Sequence, residues 1–345
     1  MNIVELLNQL NFTTLFLIFI VSKLFIETYL KTRNIKSINE NKEKIPERFT
    51  DVVTDEEYKK SINYNIERIR FSILTSVFGV GVLLFFTIGG ILNNLTVFVQ
   101  AITASNILGA ILLGLLLIVI GEIIEIPLAV YSTFYIEEKY GFNKTTTKTF
   151  VTDLFKNLLI QSIFSSILYA IVISIIENLG NNWWIFAFVA VFLLQLVIFY
   201  IYPVLILPLF NKFEPLEDEK FKEPIERLLK KIKFKAKGLF VMDGSLRSSH
   251  GNAFFTGFGS NKRIVFYDTL LETITPDEME SILGHELGHY KLGHIKKTLI
   301  SSIFFGFAGF YILGQVFQSE NFFYGHGLDE LTVYSKFLLF YLVVG

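Results

Sequence analysis

The sequence predicts a predominantly α-helical membrane protein: a polytopic helix bundle of six complete spans plus the start of a seventh, with a small α+β cytoplasmic domain. Three observations predict it. Of 345 residues, 52% are hydrophobic and 18% charged, where a soluble chain carries about a quarter charged residues. Six apolar stretches approach the roughly 20 residues that cross a bilayer. Lys and Arg fall almost entirely in alternate loops.

The apolar stretches are residues 12–30, 71–92, 107–127, 158–176, 183–210 and 298–317. The third reads equally well as extending toward Ile136. A seventh begins near Tyr334 and stops with the sequence at Gly345, too short to span. The start, Met1-Asn2-Ile3-Val4-Glu5, lacks the basic region of a signal peptide, so the first apolar run reads as a retained helix.

All Lys and Arg except Lys23 and Lys336 lie in residues 31–70, 136–157 and 211–297. The positive-inside rule then puts these three segments in the cytoplasm and the N-terminus outside or in a lumen. The expected organisation is a membrane domain of five spans at 1–210, a cytoplasmic domain at 211–297, and a sixth span, short outer loop and start of a seventh helix at 298–345.

Net charge is −1, so nothing points to nucleic acid as a partner. There is no cysteine, which excludes disulfides, a thiol nucleophile and a Cys-ligated metal.

Within 211–297, residues 217–232 read as an amphipathic helix with Phe221, Ile225, Leu228, Leu229 and Ile232 on one face. Residues 239–242, 252–258 and 263–267 read as strands, the last two parted by a turn at Gly259-Ser260-Asn261. Thr275-Pro276-Asp277-Glu278 then opens a helix as N-cap, Pro at N1 and capping box. That helix should end near Gly293.

It carries His285-Glu286-Leu287-Gly288-His289, an H-E-x-x-H run. Residues four apart share a helix face, so His285 and His289 can reach one Zn2+. Glu286 is placed to take a proton from a metal-activated water and pass it to a departing amine. The small domain therefore reads as a zinc-peptidase domain with one Zn2+ per chain.

A catalytic zinc needs a third protein ligand. A His ten residues after the first would fall at Ile295; His294 is one short, and its helical phase points away from the His285/His289 face. A downstream Glu leaves Glu320 and Glu330, both expected across a membrane about 30 Å thick. The expectation is a sequence truncated before its third ligand, a Glu beyond Gly345. If it is instead complete, weak zinc binding and little activity follow.

Other residues carry two readings. Glu122 and Glu125, with Glu137 and Glu138 after them, either face a cavity or are interfacial. Asn143-Lys144-Thr145 is a sequon made idle by a cytoplasmic location. His250 reads as a loop residue.

The chain resembles the type I CAAX prenyl proteases, multi-spanning zinc endopeptidases that cleave near the C-terminus of isoprenylated proteins. The resemblance rests on the 136–146 block (Ile-Glu-Glu-Lys-Tyr-Gly-Phe-Asn-Lys-Thr-Thr), Leu209-Phe210-Asn211-Lys212-Phe213, the 249–259 block from Ser249-His250-Gly251-Asn252 onward, the 262–270 block, and the H-E-x-x-H run. It implies a ring of seven helices around a water-filled chamber that would also wet the four glutamates. It implies His285 and His289 as zinc ligands and Glu286 as catalytic base. Asn252, Ala253 and Phe254 then belong to an edge strand that pairs with extended substrate. The family's third ligand, a Glu after the seventh span, has no counterpart here.

The leading expectation is a multi-pass membrane zinc metalloendopeptidase acting on peptide or protein substrates, prenylated C-terminal tails or membrane-protein segments. In an endoplasmic reticulum a prenylated tail is the expected target. In a bacterial inner membrane the expectation is quality control of membrane proteins without prenyl specificity. The rival is a catalytically inactive membrane-cavity binding protein lacking its third ligand.

Overall fold

The structure, a computed structural model, describes residues 3–43, 45–231, 234, 237–256 and 262–344. The expected turn at Gly259-Ser260-Asn261, the end of the strand ending at Phe258, and Ile232 lie outside the described residues. The described chain divides into two compact units, residues 1–140, 158–187 and 309–345 forming one and residues 141–157 and 188–308 the other.

The first unit begins with α1 (Ile3–Asn41) and α2 (Asp55–Phe86). Both run far past the apolar windows, because nothing in their polar ends stops a helix. Thr54 starts α2 with a capping box in which its backbone N–H donates to Glu57 at 2.9 Å. Next come α3 (Ile91–Ile102) and α4 (Asn106–Tyr131). The segment 93–106, which separates the second and third apolar stretches, is thus mostly helix. Leu92, Thr96 and Val99 bury one face of it, a period-3.6 pattern too short to be read as a span.

Pro127 lies inside α4, and the helix widens to a π-turn at Ser132–Glu137. Helix α5 (Thr147–Asn178) follows. A Cβ at Gly114 of α4 would lie 2.0 Å from Tyr169 of α5, so only glycine admits that ring.

Helix α6 (Trp183–Ile201) ends in a second π-turn, Tyr202–Ile206, around Pro203, and α7 (Leu207–Phe210) continues it. Among the described residues, six helical stretches are long and apolar enough to cross a membrane. Their surfaces agree: Phe19 and Phe25 of α1 are 73% and 70% exposed. Such rows of open aromatics are at home in lipid, not water. The protein is a multi-pass membrane protein.

The glutamates divide. Glu122 accepts from Gln161 Nε2 at 3.1 Å, and Glu137 accepts from the Tyr64 hydroxyl at 2.8 Å. Glu125 lines a cavity of about 550 Å³ within this unit.

The second unit holds a four-stranded sheet of β1 (Phe213–Pro215), β2 (Gly238–Met242), β3 (Ala253–Thr256) and β4 (Arg263–Tyr267), in the order β1-β2-β4-β3. Strands β2 and β4 are parallel; the outer pairs are antiparallel. β1 went unread in the sequence because three residues ending in Pro carry no alternation. Helix α8 (Glu219–Lys231) buries Phe221, Ile225 and Leu229, one face at four-residue spacing.

Helix α9 (Asp268–Thr273) leads into α10 (Pro276–Lys291). Met279, Leu283 and Leu287 of α10 are buried with Ile225, Ala253, Ile264 and Phe266 in one apolar core. Helix α11 (His294–Val316) follows after Gly293. The chain closes with α12 (Glu320–Gly325) and α13 (Val333–Val344), back in the first unit.

Candidate metal centre

The capping box expected at the start of α10 is present. The Thr275 N–H donates to Glu278 Oε2 at 2.8 Å, and the Glu278 N–H donates to Thr275 Oγ1 at 3.4 Å. With Met279, Leu283 and Leu287 facing the core, the helix phase is set. His285 and His289 lie on the opposite, exposed side, and Glu286 sits partly buried between the faces.

The two imidazoles converge. His285 Nε2 and His289 Nε2 are 3.2 Å apart, with ring planes at 83°. Two nitrogens bound to one tetrahedral zinc at about 2.0–2.1 Å would be about 3.3 Å apart. The pair therefore fits two ligands of such an ion. Among the described residues, no group of three or more His, Cys, Asp or Glu is assembled to hold a metal.

His294 corrects one expectation. It does not face away: its Nδ1 lies 2.7 Å from His289 Nδ1. A straight helix would turn it about 140° from His289. Gly293, at φ +67°, ends α10 in the left-handed region and restarts the chain in a new direction. The glycine just past the last helical turn was the available signal.

The edge-strand residues are also brought near this helix, on its core side. Ala253 is buried in the same apolar cluster as Leu283 and Leu287, Asn252 is exposed, and the Phe254 ring meets Tyr267 edge-on at 6.2 Å. Strand β3 is an outer strand of the sheet. Tyr267 N–H donates to Asn252 O at 2.9 Å, opposite it in register. Antiparallel alternation then turns the backbone of Asn252, Phe254 and Thr256 toward β4, and that of Ala253 and Phe255 toward the open side. The Ala253 N–H is met by the Asn252 side-chain oxygen at 2.8 Å. Phe255 was not singled out in the sequence; only the register identifies it.

Beyond the end of α10 a cavity of about 820 Å³ is lined by Phe199, Tyr202, Phe234, Phe255, Lys262 and Lys296, among others. Arg247 joins its own loop to helix α5 and to the end of helix α7. Its guanidinium donates to both Asp153 carboxylate oxygens at 2.7 and 3.0 Å, to Asn211 Oδ1 at 2.9 Å and to Phe210 O at 2.8 Å. No motif marked it. His250 is a loop residue as expected, its ring stacked on Phe142 at 4.2 Å. Asn143 closes a turn by accepting from the Thr145 N–H at 2.8 Å.

Known proteins share both halves of the chain. Residues 34–212 match the family described as CAAX prenyl protease N-terminal, five membrane helices, and residues 215–343 match peptidase family M48. A CAAX prenyl protease 1 homolog of Arabidopsis thaliana is 34% identical over 334 residues, 93% of this chain and 77% of that one. The probable CAAX prenyl protease 1 of Schizosaccharomyces pombe is 36% identical over 341 residues, covering 93% and 70%. The crystal structure of S. mikatae Ste24p superposes with a TM-score of 0.88 at 29% identity, covering 96% of this chain and 82% of that one.

Proposed function

Because the chain belongs to peptidase family M48, and is thereby a membrane-embedded metalloendopeptidase, we propose that α10 is its catalytic helix, with His285 and His289 as zinc ligands and Glu286 as general base. M48 peptidases are in general zinc-dependent. The observation that carries the assignment is the 3.2 Å approach of the two Nε2 atoms. The third protein ligand that a catalytic zinc needs is proposed to be a carboxylate.

A bound zinc supplies Lewis-acid polarisation and a water that ionises near neutral pH. The chain's own residues do the rest. Glu286 accepts the water's proton and delivers it to the leaving amine. Strand β3 holds the substrate extended: the outward C=O of Ala253 and the N–H and C=O of Phe255 are the groups a peptide would pair with. Asn252 keeps the Ala253 N–H occupied until substrate arrives.

The substrate proposed is a protein C-terminal tail carrying an isoprenoid, as the relatives' names describe for them. The aromatic wall of the 820 Å³ cavity suits an apolar chain, and Lys262 and Lys296 at its lining suit a carboxylate. The catalytic segment faces the cytoplasm, since its loops carry the positive charge.

Two assays test this. Glu286→Gln should bind zinc as the wild type does while hydrolysis falls by about 10²–10⁴; hydrolysis at the wild-type rate removes Glu286 from its role. A farnesylated peptide should be cut faster than its unlipidated twin, and equal rates would remove the isoprenoid from the substrate.

A further inference from the structure

We infer that His294 is a positioning residue for the metal site: it fixes the tautomer and ring orientation of His289 from behind. This rests on the zinc reading above.

A neutral imidazole has one N–H and one lone pair, on nitrogens that point to different sides of the ring. The nitrogen that keeps the proton is chosen by the hydrogen bond it makes. In His289, Nε2 faces His285 at 3.2 Å and Nδ1 faces His294 Nδ1 at 2.7 Å. With His294 Nδ1 as acceptor, the proton stays on His289 Nδ1 and the Nε2 lone pair is left for the ion. Metal-bound histidines commonly have such an outer partner, whose removal weakens metal binding about 10–100-fold.

The fold builds this contact deliberately in chain terms. Helix α10 closes with the Leu292 N–H donating to Gly288 O at 2.9 Å, Gly293 turns left-handed, and His294 opens α11, with the Lys297 N–H bonding back to Gly293 O at 3.0 Å. His294 is therefore held at a helix start, partly buried, with its ring at 70° to that of His289. It meets the Nδ1 edge, away from the ion, so its role differs from that of a third ligand.

The test measures zinc affinity of the purified chain by competition with a chromophoric chelator, together with the melting temperature of the zinc-free protein. His294→Ala and His294→Leu should weaken zinc binding about 10–100-fold and leave the zinc-free melting temperature unchanged. His294→Gln, whose side-chain oxygen accepts from an N–H, should restore most of the affinity. Wild-type affinity in the Leu variant, or no recovery in the Gln variant, overturns the inference while leaving the zinc reading intact. A wild type that holds no zinc, or holds it as tightly after His285→Ala, overturns the zinc reading and this inference with it.

Discussion

Replacing Arg247 with Ala removes the group that ties helix α5 and the end of helix α7 to the loop before β3. The guanidinium makes four hydrogen bonds, two of them to one carboxylate, and only 26% of the Arg side chain and 19% of the Asp153 side chain are exposed. Truncation leaves the Asp153 charge half-buried without its partner, and takes one donor each from Asn211 and the Phe210 carbonyl. Stranding a buried charge costs about 3–5 kcal/mol, and partial exposure brings that to about 2–3 kcal/mol. At about 2–4 °C per kcal/mol for a unit of this size, the melting temperature in detergent should fall by on the order of 4–12 °C. Arg247→Lys keeps the charge but loses the planar fork, and should recover less than half of the loss. A double-mutant cycle with Asp153→Ala isolates the pair. Unchanged melting in Arg247→Ala, or losses that simply add across the cycle, would refute the claim that this cation joins its loop to α5 and α7.

Gly293→Ala places a Cβ on a left-handed residue, where no neighbour lies within 4 Å, so backbone strain alone acts and should cost about 1 kcal/mol. By shifting His294 it should also weaken zinc binding; unchanged affinity in the chelator assay would separate the turn from the metal site. Phe255→Pro removes an N–H that points away from β4, so the ladder should survive while KM for an extended peptide rises several-fold; an unchanged KM argues against strand pairing. Burial between Phe16 and Phe322 holds the His326 imidazole below its ordinary pKa, so the folded state favours its neutral form. The unfolded chain then binds more protons, and stability falls as pH drops through about 6.5 and continues to fall until the lowered folded value is passed. Comparing melting at pH 7.5 and 5.5 checks this, and His326→Phe should flatten the difference.

The spans, the capping box and the histidine pair were legible because each is a local pattern: apolar length, a four-residue capping motif, and a four-residue repeat on one helix. Strands β2, β3 and β4 were legible from β-branched and aromatic runs. What stayed hidden depends on where the chain turns. His294 was misplaced because helical phase was carried through Gly293, where the backbone changes hand. Phe255 acquires its outward backbone only from the register with Ile264. Arg247 and Asp153 are 94 residues apart and meet through tertiary packing alone. Helix α3 was missed because its apolar face is too short to span and carries no charge to mark it.

The most direct measurement is the zinc content of purified protein. The wild type and Glu286→Gln should each carry one zinc per chain, and His285→Ala and His289→Ala should lose it while still folding. Zinc retained after removal of either imidazole would contradict the account.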